Sequence, residues 1–283
     1  MASRAAAGLV LALACAAPPA FAREEPLWEA GVGIAGLHFP DYRGSDQSRN
    51  YALPVPYFVY RGDHFKADRN GLRGILFDSD RVDLDFSVGA SLPVSSDKNR
   101  ARAGMPDLKP SVELGPSIEV NLWETRDQRI RVELRTPLRG AISVERSPRY
   151  VGTQFFPHVN IDIHNFAGFD GVDFGALAGP VFTDSRYNRH YYSVPAQYAT
   201  ATRPAYEARG GFAGTEFILG ASKRFPNYWV GAFVRYDVLQ GAKFESSPLV
   251  TSKRYFAGGI GVSWILGRSA KKVAVNPWGD GLR

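Results

Sequence analysis

The stretch that decides the fold is Val82-Asp83-Leu84-Asp85-Phe86-Ser87-Val88-Gly89-Ala90-Ser91-Leu92. Its even positions are apolar (Val82, Leu84, Phe86, Val88, Ala90, Leu92), and its odd positions are polar or small (Asp83, Asp85, Ser87, Gly89, Ser91). Side chains that alternate in this way lie on opposite faces of an extended strand. The same period governs Ser111–Leu122, where Val112, Leu114, Pro116, Ile118, Val120 and Leu122 oppose Ser111, Glu113, Gly115, Ser117, Glu119 and Asn121. In a third run Ile130, Val132, Leu134 and Leu138 oppose Arg129, Arg131, Glu133, Arg135 and Arg139. Each run outlasts the roughly five or six residues of an ordinary strand.

Working outward, weaker alternation marks strands over residues 27–39, 51–60, 63–69, 71–77, 151–164, 172–183, 211–224, 228–239 and 254–266. The total is about twelve, an even number as bacterial barrels have; the third and fourth are short, which leaves ten as the alternative. Helical spacing is sustained nowhere. The two architectures that fit are a soluble barrel or sandwich, apolar faces inward, and a membrane barrel, apolar faces outward. An arginine at the bilayer midplane of a barrel costs roughly 2–4 kcal/mol. In the membrane case the row Arg129, Arg131, Arg135, Arg139 therefore lines a lumen, together with Asp83, Asp85, Glu113, Glu119 and Glu133. A tight reversal at Glu124–Asp127 predicts Glu119 opposite Arg131.

Loop lengths favour the membrane. With the N-terminus in the periplasm, the inward connections are short (Arg61-Gly62, Asp78–Asp80, Glu124–Asp127, Asn165–Asp170, Phe225–Asn227) and the long ones fall outward (Pro40–Asn50, Pro93–Asp107, Asp184–Arg209, Gln240–Lys253). That is the asymmetry of outer-membrane barrels. Trp28, Trp123, Trp229 and Trp264 all fall near the periplasmic ends, where an interfacial girdle sits. Trp28 and Trp264 have lipid-facing parity; Trp123 and Trp229 do not. The expected fold is all-β: a transmembrane antiparallel up-and-down β-barrel over residues 23–266.

The termini fit export. Arg4, the apolar run Ala5–Ala17 and the Ala20-Phe21-Ala22 site read as a signal peptide, residues 1–22, cleaved after Ala22. The apolar run is shorter than the ~20 residues of a spanning helix. Cys15, the only cysteine, lies inside that segment, so no disulfide framework or thiolate metal site is expected in the mature chain. Net charge is +6, with both signs spread along the chain, which gives no nucleic-acid stripe and suggests attraction to anionic surfaces. Residues 267–283 follow the last strand as a periplasmic C-terminal tail.

Several segments resemble the MltA-interacting protein/OmpV family of outer-membrane proteins. They are Pro40-Asp41-Tyr42-Arg43-Gly44-Ser45-Asp46, Leu53-Pro54-Val55-Pro56-Tyr57-Phe58, Asp68-Arg69-Asn70-Gly71-Leu72, Leu114-Gly115-Pro116, and Tyr191-Tyr192-Ser193-Val194 with Tyr206 and Gly210-Gly211. The resemblance implies a barrel and a scaffold role, joining a lytic transglycosylase to a penicillin-binding murein synthase; other members are linked to permeability or adhesion. The chain departs from common barrels in not ending on its last strand.

The first loop also makes sense physically. Asp41, Gly44, Ser45 and Asp46 are turn formers, and Tyr42 can pack over the barrel mouth; the five are candidates for a structural turn or for ligand contact. Pro54 and Pro56 share parity, so both missing N–H groups face the same neighbour, which predicts a weakened seam on one side of that strand. In the longest loop Arg189, His190, Tyr191, Tyr192, Arg203 and Tyr206 mix cations and rings, suiting contact with lipopolysaccharide phosphates or a fold over the mouth.

Catalytic motifs are missing. Gly31–Gly36 spells G-x-G-x-x-G but lies within a strand instead of opening a helix. No His is followed two residues later by Ser, the pair found in barrel deacylases. His158, Asn160, Asp162 and His164 form one polar row, either a hydrated lumen wall or a base oriented by Asp162. The reading is a non-enzymatic outer-membrane scaffold without cofactor or metal, contacting membrane lipids and lipopolysaccharide. The alternatives are a narrow diffusion channel and a surface adhesin.

Overall fold

The structure, a computed structural model, describes residues 23–62, 65–68, 71–74, 77–78 and 82–275; the segment expected to be a signal peptide, residues 1–22, and residues 276–283 of the expected tail lie outside them. In chain order the elements are β1 (Arg23–Pro26), β2 (Trp28–Pro40), β3 (Ser48–Arg61), β4 (Phe65–Asp68), β5 (Gly71–Gly74), β6 (Phe77–Asp78), β7 (Val82–Ser91), β8 (Ser111–Glu124), β9 (Ile130–Ser143), β10 (Tyr150–Phe155), β11 (His158–Ile163), β12 (Val172–Thr183), α1 (Ser185–Tyr192), β13 (Gly211–Arg224), β14 (Tyr228–Val238), β15 (Arg254–Arg268) and β16 (Lys272–Val275). β2 to β15 form one antiparallel sheet in up-and-down order, and β15 returns to pair with β2. At the other junction β5 lies beside β7, which brings the sheet round into a barrel.

β10 and β11 share a single place in the wall, both pairing with β9 and β12. The single strand expected over 151–164 is therefore interrupted at Phe156-Pro157, where Pro157 has no N–H to continue the ladder. Counted once, this crossing makes ten long ones, with β4 and β5 as the short third and fourth strands.

Which face meets hydrocarbon is plain on β8. Leu114, Ile118 and Leu122 are 43, 48 and 53% exposed, whereas Glu113 and Glu119 are 7 and 9%. A sheet that turns leucines outward and carboxylates inward is inside out for water and right for lipid. β7 and β8 pair apolar with apolar, Val82 against Val120 through Ala90 against Val112.

The register of β8 on β9 differs from the expected one. Glu119 faces Arg135, not Arg131, because β8 runs to Glu124 and reverses through a longer turn. There Thr125 donates its N–H to Ile130 O at 2.9 Å, and Gln128 is left-handed at φ 52°. A bulge at Leu122 then flips parity, so Trp123 is 54% exposed and joins Trp28 and Trp264 outside. Trp229 points inward, lining a lumenal cavity. Arg129, expected in the lumen row, sits in the turn instead and donates to Asn165 O at 3.0 Å.

β15 runs on to Arg268, and Lys272–Val275 is no hanging tail but pairs with Arg23–Pro26 as a two-stranded ribbon beside the short turns. Leu27 N donates to Lys271 O and Ser269 N to Trp28 O, both at 2.9 Å. Fully buried Glu29 pairs with Arg61 and Arg224 at the same end.

Leu114→Arg should destabilise the barrel folded in phospholipid vesicles by about 2–4 kcal/mol, read from urea unfolding. An unchanged midpoint would place Leu114 away from hydrocarbon.

Candidate functional site

The long loops do not stand off the barrel; they fill its mouth. Tyr42, Val94, Leu108, Tyr187, Tyr191, Tyr192, Leu239 and Phe244 form one buried cluster there. This is the largest packed apolar core among the described residues, and it lies across the end of the lumen instead of within the wall.

The first-loop motif supplies its knots. Asp41 accepts from Arg49 Nε at 2.5 Å and Asn99 Nδ2 at 2.8 Å, and Asn99 Nδ2 also reaches Ser45 Oγ at 3.1 Å. Tyr42 donates its hydroxyl to Leu249 O at 2.7 Å and meets the Tyr192 ring edge-on. Gly44 adopts φ 99°, where a side chain would be strained, and its carbonyl accepts from Thr251 N and Ser252 N. Asp46, at the surface, accepts from Arg100 Nη2 at 2.8 Å. All five candidates of this loop are thus engaged with other parts of the chain. Sequence reasoning left out Arg43. It turns down into the lumen, donating Nε to Asp237 Oδ1 at 2.9 Å and to the Tyr255 hydroxyl at 3.2 Å.

The loop after β12 is drawn in by its rings. Asp184 caps α1 by accepting from Tyr187 N at 2.7 Å. Tyr187 reaches down to Glu113 Oε1 at 3.1 Å, and the Tyr192 ring stacks 3.7 Å from Phe244 at an interplanar angle of 5°. Arg203 clamps two loops, donating Nη1 to Ala101 O and Ala103 O and Nη2 to Tyr198 O. Tyr206 bridges to Val194 through backbone bonds of 2.8 and 3.0 Å. Arg189 stays outside, 49% exposed. Of the two readings of this loop, these contacts fit the fold over the mouth, because rings that can fill a mouth gain more by burial than by display. Burial raises the Tyr187 and Tyr192 hydroxyls well above their ordinary range, keeping both as donors. Burial, with Arg102 and Arg149 adding to it, lowers His190 to about 4.

Below the plug the lumen is two-sided. Asp83, Asp85, Glu113, Glu119, Arg131, Glu133 and Arg135 all lie on inward positions of β7, β8 and β9. Arg135 sits between Glu133 at 2.6 Å, Glu119 at 3.7 Å and Asp162 at 3.7 Å, while Arg131 pairs with Glu124 at 3.1 Å. The polar row of β11 points inward too. His158 Nδ1 bonds Phe156 O at 2.8 Å and Asn160 bonds Asp162 at 2.6 Å. His164 pairs across to Asp173 of β12 at 2.6 Å, not along its own strand to Asp162. Nearer the mouth Arg235 joins Glu216 and Asp237. The opposite wall is small or apolar: Gly31, Gly33, Ala35 and Leu37 on β2, and Gly259 and Gly261 on β15. That sidedness was readable in the odd positions of those strands. It leaves two cavities, of 440 and 580 Å³, which share Leu37, Leu177 and Ile218.

A closed up-and-down sheet with leucines outside, ion pairs inside and a mouth stoppered by its own loops defines a transmembrane β-barrel. The family described as MltA-interacting protein MipA matches residues 32–266, and the chain belongs to that family. Outer membrane protein OmpV of Vibrio cholerae serotype O1 is 26% identical over 85% of this chain and 87% of its own. Outer membrane protein Omp26La of Vibrio anguillarum is 27% identical over the same shares. Among solved structures, a bacterial polysaccharide outer membrane secretin aligns over 85% of this chain and 99% of its own, at 10% identity and a TM-score of 0.38. The P. putida toluene transporter TodX aligns over 87% of this chain and 68% of its own, at 11% identity and a TM-score of 0.27.

Because His190 is held near 4 against an ordinary 6.5, the loosened plug takes up a proton between those values and the packed one does not. Stability of the plug is therefore full above about 6.5 and declines as pH falls towards 4. Protection factors of the Tyr191 and Tyr192 amides should drop across that window and stay level in His190→Asn. Equal slopes in the two proteins would remove His190 from the plug's energetics.

Proposed function

We propose that this chain is a non-enzymatic outer-membrane adaptor, exported with its first 22 residues removed after Ala22 and inserted with the short turns and the β1–β16 ribbon in the periplasm. In this reading it holds a lytic transglycosylase, and through it a penicillin-binding murein synthase, at the membrane, while lipids and lipopolysaccharide surround the wall. The partner class comes from the family's description as MltA-interacting.

The observation that carries the adaptor over a diffusion channel is the sealed mouth. Leu239, Phe244 and Leu249 are fully buried across it, and an apolar constriction of this kind opposes the passage of hydrated solutes. The plug also weighs against an adhesin, since Tyr191 and Tyr192 face inward. In this reading Arg23–Pro26 and Lys272–Val275 lie on the side where murein enzymes work.

Purification from crosslinked envelopes should enrich a lytic transglycosylase over an unrelated barrel of the same membrane, and no enrichment would overturn the adaptor. In planar bilayers the purified barrel should give no steady conductance steps. Resolved single-channel openings would return the channel to first place.

A further inference from the structure

Arg131, Arg135 and Arg235 each sit directly against a lumenal carboxylate, as ions in a narrow interior should. Arg139 does not. Its Nε and Nη2 both donate to one hydroxyl oxygen, Ser87 Oγ, at 2.8 and 2.6 Å, and its Nη1 donates to nothing among the described residues. Glu113 of β8 is left over in the same way: Oε1 accepts from the Tyr187 hydroxyl, and Oε2 has no donor among the described residues. The two free atoms converge on one spot. A Cβ added at Gly89 would lie 3.1 Å from Glu113 Oε2 and 3.2 Å from Arg139 Nη1. They form no ion pair, although unlike charges in a low-dielectric interior attract strongly.

The wall is built to keep these groups apart and uncovered. β7 turns Ser87, Gly89 and Ser91 inward; in register Gly89 faces Glu113 and Ser87 faces Gly115. Gly115 leaves the inner surface of β8 bare, so the Arg139 side chain can cross it from β9 to Ser87. Any side chain at position 89 would fill the space between acid and guanidinium. That space belongs to the 580 Å³ cavity, whose volume is that of ordinary ligand sites, ~300–1,000 Å³. Its roof is the plug. Tyr187 bonds Glu113, and Tyr191 donates its hydroxyl to Ser91 Oγ at 3.4 Å.

We infer that this is a binding site for a neutral saccharide of disaccharide size, held under the plug with adjacent hydroxyls bridging Glu113 Oε2 and Arg139 Nη1. A hydroxyl both donates and accepts, so a pair of them satisfies the acid and the guanidinium together. An anion would be repelled by Glu113, and a cation by Arg139. The other arginines of the cavity are matched already, Arg43 by Asp237, Arg135 by Glu119 and Arg235 by Glu216. A zwitterion would suit the same acid and guanidinium but would use nothing else. A sugar uses the rest: Ser91, Gln154 and Tyr255 offer neutral donors and acceptors to its polar edge, and Leu177 and Ile218 suit its apolar face.

The test uses saturation-transfer NMR on the full barrel in phospholipid nanodiscs, free of sugar detergents. The probes are N,N′-diacetylchitobiose, maltose and the zwitterion glycylglycine. At least one sugar should bind, and glycylglycine should not. Gly89→Ala, which sets a methyl group between the acid and the guanidinium, should weaken sugar binding about tenfold, as loss of one good contact does. Gly220→Ala, whose Cβ would meet nothing closer than Ala232 O at 3.7 Å, should leave it unchanged. Amide exchange gives a reading free of variants: bound sugar should slow the Tyr187 and Tyr191 amides, because the plug roofs the site. No binding of either sugar, preference for glycylglycine, or binding indifferent to Gly89→Ala overturns the site. Equal weakening by the two alanines, or plug exchange unmoved by bound sugar, does the same.

Discussion

Hydrocarbon offers no hydrogen bond, and from that one fact most of this molecule follows. A backbone crossing a bilayer must satisfy its N–H and C=O groups internally, and a sheet can do so only by coming round on itself. The return of β15 to β2 is that requirement met. Once the ladder is closed, parity is no longer free: a one-residue slip would send a row of carboxylates into lipid. The bulge at Leu122 is tolerated because it lies in the last turn-ward residues of β8, where the flipped side chain is Trp123 and belongs at an interface.

The ionic lattice is a consequence of the same wall. Residues turned from lipid face a narrow interior, where an unpaired charge costs several kcal/mol. Arg135 therefore draws its partners from three strands, Glu119 on β8, Glu133 on β9 and Asp162 on β11. The mouth obeys the same rule with different material. Loops that would be solvated on an open pore bury tyrosines and phenylalanine and pair polar groups with one another: Asn99 to Asp41, Arg102 to Tyr191 O, Ser247 to Tyr192 O. Arg43 ties plug to lattice, since its partner Asp237 also holds Arg235.

The faces of the strands were legible because period two survives errors at strand ends. The inward placement of Asp83, Glu113, Glu119 and Arg135 needed only parity and the cost of charge in lipid. Register was not legible. It depends on turn length, and the turn at Thr125–Arg129 carries a left-handed Gln128 that no Gly or Asn announces. Pro157 was in plain view, yet the apolar alternation on either side of it read as one strand. Tyr42 over the mouth followed from a ring among turn formers. Arg43 did not, because its partners Asp237 and Tyr255 lie some two hundred residues further along the chain. Nor could a single strand show that His164 would bond across to Asp173 instead of along to Asp162.

The prolines of β3 show how far local sequence goes and where geometry must finish the argument. Two residues without donors, two apart, say that one edge of a strand is not in a ladder; they do not say which. A single hydrogen bond decides it, because Arg61 N on Leu27 O fixes the phase of every residue back to Ser48. Pro54 and Pro56 therefore turn their missing donors away from β2, and the weak seam expected from them does not fall on that side. Among the described residues the ladder of β3 on β2 runs unbroken from Ser48 to Tyr60, as a strand bordered by hydrocarbon requires.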